Sequence, residues 1–65
     1  MEGVLSAYFS DDGKREAHVR KEAYGFYVDL LIDGVVVEKR TLYEYSESYA
    51  EDCAENFVLG IFDVK

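Results

Sequence analysis

The segment GFYVDLLIDGVVVEKRTLY, residues 25–43, restricts the fold of this chain more than any other stretch. Two runs of β-branched, aliphatic and aromatic residues flank Asp33-Gly34, a pair suited to the positive backbone angles of a type I′ turn. The pattern therefore predicts a β-hairpin. A loop of two residues places Ile32 opposite Val35, whereas a three-residue loop with a glycine bulge would shift the pairing by one residue.

The two-residue loop assigns the hairpin side chains to two faces, because side chains alternate along a strand. It pairs Leu30 with Val37 and Val28 with Lys39. The face predicted to form the core consists of Phe26, Val28, Leu30, Ile32, Val35 and Val37. The opposite face consists of Tyr27, Asp29, Leu31, Val36, Glu38 and Arg40, with Asp29 across from Glu38.

Two further segments precede the hairpin. Residues 3–10 mix aliphatic and aromatic side chains and stop at SDDG, a turn signal, so they predict a strand. Residues 16–21 alternate between apolar and charged side chains, which favours a second strand. A helix over residues 15–24, ended by Gly25, competes with this strand because Arg, Glu, Ala and Lys are good helix formers. That helix would lack a continuous apolar stripe.

The segment SYAEDCAENFVLGI, residues 48–61, predicts a C-terminal helix from about Tyr49 to Leu59. Ser48 and Glu51 form a capping-box pattern, and Gly60 is a natural left-handed stop. Apolar residues recur at helical spacing on one stripe, which consists of Ala50, Cys53, Ala54, Phe57, Val58 and Ile61. The residues expected to face water on the other side are Glu51, Asp52, Glu55 and Asn56.

These elements predict one α+β domain over residues 1–65. It is a small antiparallel β-meander of three to four strands, with the hairpin central, packed on one face by a single C-terminal α-helix. A chain of this size buries only roughly 60% of its unfolded surface, so its core is small. One helix covers one face of a sheet. The apolar residues on the second face, together with the apolar tail at residues 61–64, therefore predict a homodimer.

The chain is acidic, with 14 Asp and Glu against 7 Lys and Arg and a formal net charge of −7. Because nucleic-acid affinity depends on phosphate neutralisation by Lys and Arg, nucleic acid is an unfavourable partner and basic proteins are favourable ones. Cys53 is the single cysteine, which excludes an internal disulfide. No apolar run approaches the ~20 residues of a membrane span and no charged leader precedes one, so we expect a cytoplasmic protein without a membrane segment.

Residues able to carry chemistry are few and isolated, so we predict no enzyme and no catalytic, cofactor-binding or metal-binding site. His18 has no second histidine or elbow serine with which to form a nucleophile and base pair. Cys53 lies on the apolar stripe among acidic neighbours, which would raise its pKa and keep it unreactive. Glu47, Glu51 and Glu55 are each four residues apart, and a solvated helix face explains them better than a weak cation site.

The segments YAEDCAENFVLGI and GFYVDLLIDGVVVEKR resemble small uncharacterised proteins encoded by marine cyanobacterial phages. The likeness covers roughly the C-terminal two thirds of the chain. This family has no assigned function. The resemblance therefore implies a small phage-type protein of the host cytoplasm and assigns no role to any residue.

The leading functional hypothesis is a non-enzymatic protein-binding module that associates with itself. The chain contains 6 tyrosines, more than so small a core can bury with satisfied hydroxyl groups. Tyrosine and arginine are both enriched at protein interfaces. The residues predicted to form the interface are Tyr27, Leu31, Val36, Arg40, Phe62 and Val64.

The alternative hypothesis is a nucleic-acid-binding module that uses the outer face of the β-sheet, where aromatic rings among cations could stack bases and contact phosphates. The residues predicted to make these contacts are Arg15, Arg20, Lys21, Tyr24 and Lys39. Strands followed by a helix resemble the plant AP2 and phage-integrase arm-type DNA-binding domains, although this chain lacks their basic excess. A contiguous positive sheet face would favour this alternative, and interleaved charges would favour the protein-binding module.

Overall fold

In a computed structural model of the protein, residues 4–61 are described and form four strands followed by one helix. The strands are β1 (Val4–Phe9), β2 (Arg15–Glu22), β3 (Gly25–Ile32) and β4 (Val35–Leu42), and the helix is α1 (Glu47–Val58). Each strand pairs antiparallel with the next, giving the order β1-β2-β3-β4, and α1 packs on one face of the sheet. The predicted α+β meander is confirmed. Within residues 4–61, no helix is both long enough and apolar enough to cross a membrane.

The segment after the first turn is a strand, so the competing helix over residues 15–24 is wrong. Ala17 and Val19 of β2 are fully buried, and burial of these alternate residues outweighs the helix propensity of the segment. The strand order also corrects one prediction. The central strands are β2 and β3, whereas β4, the second strand of the hairpin, lies at an edge of the sheet.

The turn between β3 and β4 has the predicted two residues. Asp33 has a φ of 54° and Gly34 a φ of 82°, and positive angles at both positions are what a type I′ turn requires. Ile32 therefore pairs with Val35, as the two-residue loop predicts.

The pairing of β3 with β4 shifts by one residue beyond this first pair. Leu31 pairs with Val36, but Leu30 pairs with Glu38, so Val37 is an additional residue in β4 and forms a β-bulge. The predicted pairs of Leu30 with Val37 and of Val28 with Lys39 are therefore wrong. Three consecutive valines carry no alternation from which the position of a bulge could be predicted.

The bulge exchanges the faces of the residues that follow it. Glu38 and Arg40 were predicted on the outer face, but they lie opposite Leu30 and Val28 on the side facing α1. Lys39, and not Glu38, lies opposite Asp29 on the other face. Two predicted core residues, Val35 and Val37, are exposed.

The core lies between α1 and the helix-facing side of the sheet. Its buried members are Ala17, Val19, Val28, Leu30, Leu42, Ala50, Ala54, Phe57 and Val58. The predicted apolar stripe of the helix is confirmed at Ala50, Ala54, Phe57 and Val58, while Cys53 is only partly buried beside it. Phe57 is the largest fully buried side chain.

The helix begins two residues earlier than predicted because Ser46, and not Ser48, caps it. Ser46 has an extended backbone, and its hydroxyl accepts a hydrogen bond from the backbone N–H of Tyr49 at 3.2 Å. The predicted stop is confirmed at Gly60, where φ is 80° and the backbone N–H donates to the carbonyl of Phe57. Ile61, which was predicted in the apolar stripe, is 68% exposed because the chain leaves the helix before reaching it.

Candidate interaction surfaces

The sheet face turned away from α1, here called the outer face, carries a strip of three apolar residues and one glutamate at the end next to the β3–β4 turn. This strip, the distal row, crosses the paired strands through Phe9, Glu16, Leu31 and Val36. Phe9 is 61% exposed and Val36 is 53% exposed, whereas Leu31 between them is only 7% exposed. The centre of the distal row is thus packed already, and its two ends project into solvent.

Both edge strands add apolar side chains to the outer face. In β1, the exposed Ala7 and Phe9 lie opposite His18 and Glu16 on the outer face, and Leu5, at a register shift, is also exposed. In β4, Val36 and the bulged Val37 are exposed. Apolar residues therefore border the outer face at both of its edges.

Charged side chains in the middle of the outer face are paired with charges of opposite sign. The pairs are Arg20 with Asp29 at 3.6 Å and Lys39 with Glu22 at 3.4 Å, and a ring nitrogen of His18 contacts the Glu16 carboxylate. The Lys39 ammonium also lies 4.4 Å above the centroid of the Tyr27 ring. Positive and negative charges are therefore interleaved on this face, the arrangement expected of a protein-binding module.

The structure brings together three of the residues predicted to form the interface. Tyr27, Leu31 and Val36 all lie on the outer face. Because Leu31 is nearly buried, it can support the exposed residues beside it but offers little surface of its own. Phe62 and Val64 lie outside the described residues.

Arg40, also predicted in the interface, faces the helix because of the bulge. Its Nε donates a hydrogen bond to the Glu38 carboxylate at 2.9 Å, and this bond raises the pKa of Arg40. The guanidinium also interacts with Cys53 of α1. Burial raises the pKa of the Cys53 thiol above its usual value, and the positive charge of Arg40 acts against that rise. Arg40 therefore lies on the helix-facing side of the sheet and outside the predicted interface.

The five residues predicted to contact nucleic acid do not share one surface. Arg20 and Lys39 lie on the outer face, and each is beside a carboxylate. Arg15 and Lys21 lie on the helix-facing side, since they alternate with the outer-face residues of β2. Tyr24 lies in the turn between β2 and β3. Across residues 4–61, these cations form no contiguous positive patch on the outer face.

A groove of about 360 Å³ lies where the β1–β2 turn meets the end of α1, and the sequence did not indicate it. Residues 9–12, Arg15 and residues 58–60 line it. Arg15 Nη1 donates to the carbonyl of Phe57 at 3.2 Å, and its guanidinium lies 4.9 Å from the centroid of the Phe57 ring. A cation bound to the last carbonyls of a helix stabilises that end. Arg15 of the groove therefore has a structural role, because it stabilises the C-terminal end of α1.

Glu51 was predicted to face water, but it connects α1 to β1. Its carboxylate accepts hydrogen bonds from the Ser6 hydroxyl at 2.6 Å and from the Tyr8 hydroxyl. The bond to Glu51 is the main reason that the pKa of Tyr8 is raised to about 12. Since Glu51 lies at the border of the apolar stripe, a sequence pattern alone could not distinguish this contact from a solvated position.

The residues singled out for possible chemistry contact their neighbours within the fold. A ring nitrogen of His18 contacts the Glu16 carboxylate on the same strand, and Cys53 is a free, partly buried cysteine. In the described part of the chain, no three His, Cys, Asp or Glu side chains are grouped so that they could hold a metal ion.

Comparison with known proteins gives no match to a family model, to a curated protein or to a solved structure.

Proposed function

We propose that the protein is a small, acidic, non-enzymatic protein-binding module that associates with a second copy of itself through the outer face of its sheet. The observation that carries the proposal is the exposure of Phe9 and Val36 at the two ends of the distal row. They lie on the face that α1 does not cover, and pairing two such faces removes their apolar surface from water.

The distribution of charge supports this face as the meeting surface. On the outer face, Arg20 and Lys39 stand against Glu16, Glu22 and Asp29, so the two signs are close to balance. The acidic excess lies on the turns and the helix, at Asp11, Asp12, Asp33, Glu44, Glu47, Asp52 and Glu55. Two copies that meet through their outer faces keep these acidic surfaces apart. A twofold axis can also bring the cations of one copy to the carboxylates of the other.

The size of the face predicts a weak dimer. With strands ~4.8 Å apart and ~3.3 Å per residue, four strands of this length present on the order of 500 Å² per copy. This is less than the ~800 Å² per partner of a standard stable interface. We therefore expect a reversible homodimer with a dissociation constant in the micromolar range.

The resemblance to marine cyanobacterial phage proteins supports a setting in the host cytoplasm, where the chain is produced in an infected cell. The acidic surface left free by the dimer favours a basic protein as a further partner. Nucleic acid receives less support as a partner, because the outer-face cations Arg20 and Lys39 are already beside carboxylates.

The test is the molar mass in solution by light scattering, at concentrations up to the order of tens of micromolar. We expect the wild type to shift toward the mass of two chains as concentration rises. Val36→Glu should keep the mass of one chain and an unchanged denaturation midpoint, because Val36 is exposed. Leu31→Glu is less informative, since it would place a charge at a nearly buried position.

The matched control is Tyr49→Glu, which adds the same charge at an exposed residue in the first turn of α1, away from Phe9 and Val36. This variant should dimerise as the wild type does. A wild-type mass of one chain throughout, or an equal loss of dimer in both variants, would contradict self-association through the outer face.

A further inference from the structure

Four exposed tyrosines form two ring pairs at the end of the molecule opposite the distal row. We call Tyr24, Tyr43, Tyr45 and Tyr49 the tyrosine corner, a name for this surface cluster that is unrelated to the single-tyrosine motif of β-sandwiches. The rings of Tyr24 and Tyr43 are tilted, with centroids 5.9 Å apart, and those of Tyr45 and Tyr49 are stacked, with centroids 4.2 Å apart. The corner is built from the β2–β3 turn, the loop after β4 and the first turn of α1.

The tyrosine corner is not part of the core. None of its four residues belongs to the buried cluster, and Tyr24 is 77% exposed at the tip of its turn. The stacked pair beside the helix start contributes to the entry of the chain into α1, but this does not explain why Tyr24 is a large aromatic residue. Exposed tyrosines that hold one another in place offer ring faces at a low entropic cost on binding.

Carboxylates are interspersed with the rings. The Tyr43 hydroxyl donates to the Glu22 carboxylate, which raises the pKa of Tyr43 to about 12. Glu44 lies between Tyr43 and Tyr45 in the chain and is exposed. Glu47, also exposed, opens the first turn of α1. Ring faces and carboxylates both attract cations, so the corner is suited to a positively charged ligand.

The chain itself contains one example of this combination. Lys39 lies 4.4 Å above the ring centroid of Tyr27 and 3.4 Å from the carboxylate of Glu22. The same carboxylate accepts the Tyr43 hydroxyl bond at the edge of the corner. A ring and a carboxylate beside the corner thus hold a cation together.

We propose that the tyrosine corner binds an arginine-rich segment of a basic partner protein. This inference rests on the proposed function as a protein-binding module, but not on self-association. Arginine fits better than lysine because its planar guanidinium can stack on a tyrosine ring while it bonds a carboxylate through two donors. A second copy of the chain and a nucleic acid both fit poorly, since each would bring negative charge to Glu22, Glu44 and Glu47.

The experiment is a titration of the full chain with fluorescently labelled peptides, followed by anisotropy at several salt concentrations. The probes are an arginine-only peptide, a lysine-only peptide of equal length and a glutamate-only peptide. We expect the arginine peptide to bind about fivefold more tightly than the lysine peptide, because a guanidinium can stack on a tyrosine ring and bond a carboxylate through two donors at the same time. The glutamate peptide should not bind.

Substitutions distinguish the contribution of the tyrosine rings to binding from that of the negative charge. Tyr24→Ala should weaken binding of the arginine peptide by about fivefold, while Tyr24→Phe keeps the ring and should bind as the wild type does. Glu44→Gln should weaken binding of both cationic peptides. Glu55→Gln makes the same chemical change on an exposed residue near the far end of α1 and should have a smaller effect.

Equal binding of the arginine and lysine peptides, together with an unchanged affinity in Tyr24→Ala, would show charge attraction alone and overturn the proposal, as would the absence of binding. Val36→Glu, titrated in parallel, separates the two hypotheses. Binding that persists in this variant supports the corner as a site independent of the dimer. If the dimer forms but no peptide binds, the tyrosine corner is not a binding site for arginine. The proposed self-association would still be supported.

Discussion

The hydroxyl of Tyr8 donates a hydrogen bond to the carboxylate of Glu51, joining the edge strand β1 to the helix. Ser6 donates to the second carboxylate oxygen at 2.6 Å, so one acidic side chain holds two residues of the strand. Hydrogen bonds to a charged acceptor are stronger than neutral ones. The contact gives β1 an attachment to α1 in addition to its pairing with β2.

Glu51→Ala should therefore lower the free energy of unfolding by about 1–2 kcal/mol, because two hydroxyl groups lose a charged acceptor at a partly buried site. Glu55→Ala is the matched control, since this glutamate is exposed one turn further along α1, and it should change stability by less than about 0.5 kcal/mol. Chemical denaturation measures both. Equal effects of the two substitutions would show that the Glu51 contact adds no stability.

The same contact predicts a loss of stability at alkaline pH. The pKa of Tyr8 is raised from 10.0 to about 12 in the folded state. The stability that Tyr8 contributes to the folded state is therefore fully present below pH 10.0 and is lost as the pH rises to about 12. Tyr8→Phe removes this group. In that variant the denaturation midpoint should fall less steeply over this pH range than in the wild type. Parallel curves for the two proteins would contradict the prediction.

Phe57→Ala should destabilise the chain by about 3–5 kcal/mol, the range for truncating a fully buried phenylalanine. Part of the loss comes from Arg15, whose guanidinium lies 4.9 Å from the centroid of the Phe57 ring. In so small a domain this loss can prevent folding. Leu59→Ala, two residues later and exposed, serves as the comparison in denaturation or circular dichroism. A Phe57→Ala midpoint equal to that of the wild type would place Phe57 outside the core.

Gly25→Ala should destabilise the chain more than Gly34→Ala. Both glycines have positive φ, 137° and 82°, but a Cβ at Gly25 would lie 2.9 Å from the backbone of Tyr43, while a Cβ at Gly34 meets open space. The Gly34 variant should therefore lose only about 1–2 kcal/mol for its left-handed backbone. Urea denaturation of the two variants is the measurement. The reverse order would mean that the loop after β4 moves aside without cost.

The charge pairs on the outer face predict weak binding of nucleic acid. We expect no affinity tighter than about 10⁻⁶ M for duplex DNA or RNA at physiological salt, the range of non-specific binding. Arg20 and Lys39 are beside carboxylates, so few phosphates could be neutralised there. Anisotropy with labelled duplexes over a range of salt concentrations tests this. A salt-sensitive, submicromolar affinity that is lost in Arg20→Glu would instead support the nucleic-acid alternative.

Much of the fold could be predicted because local signals agreed with the tertiary structure. Asp33-Gly34 defined a two-residue turn, and the spacing from Ala50 to Val58 defined the buried side of the helix. The bulge at Val37 could not be predicted, since a run of three valines fits either face. Because the extra residue Val37 was not predicted, Arg40 was assigned to the wrong face of the sheet.

The candidate surfaces were less accessible to sequence analysis than the fold. Tyr27 and Val36 were assigned to the correct face, but the exposed Phe9 was missed because it lies on another strand, brought beside Glu16 only by pairing. The cap at Ser46 was missed because Ser48 matched the capping-box pattern with Glu51. In the structure that glutamate bonds to β1 instead, a contact between residues distant in the chain.

The bulge at Val37 also makes β4 a less regular edge for the addition of further strands. An edge strand with evenly spaced N–H and C=O groups is a template for further strands, and a run of valines at such an edge invites fibre growth. The extra residue interrupts that spacing within the valine run, and Lys39 follows on the exposed side. The proposed pairing through the outer face about a twofold axis would be closed, so it would end with two copies. Deletion of Val37 would restore a regular ladder along this edge, and such a ladder favours the addition of further strands.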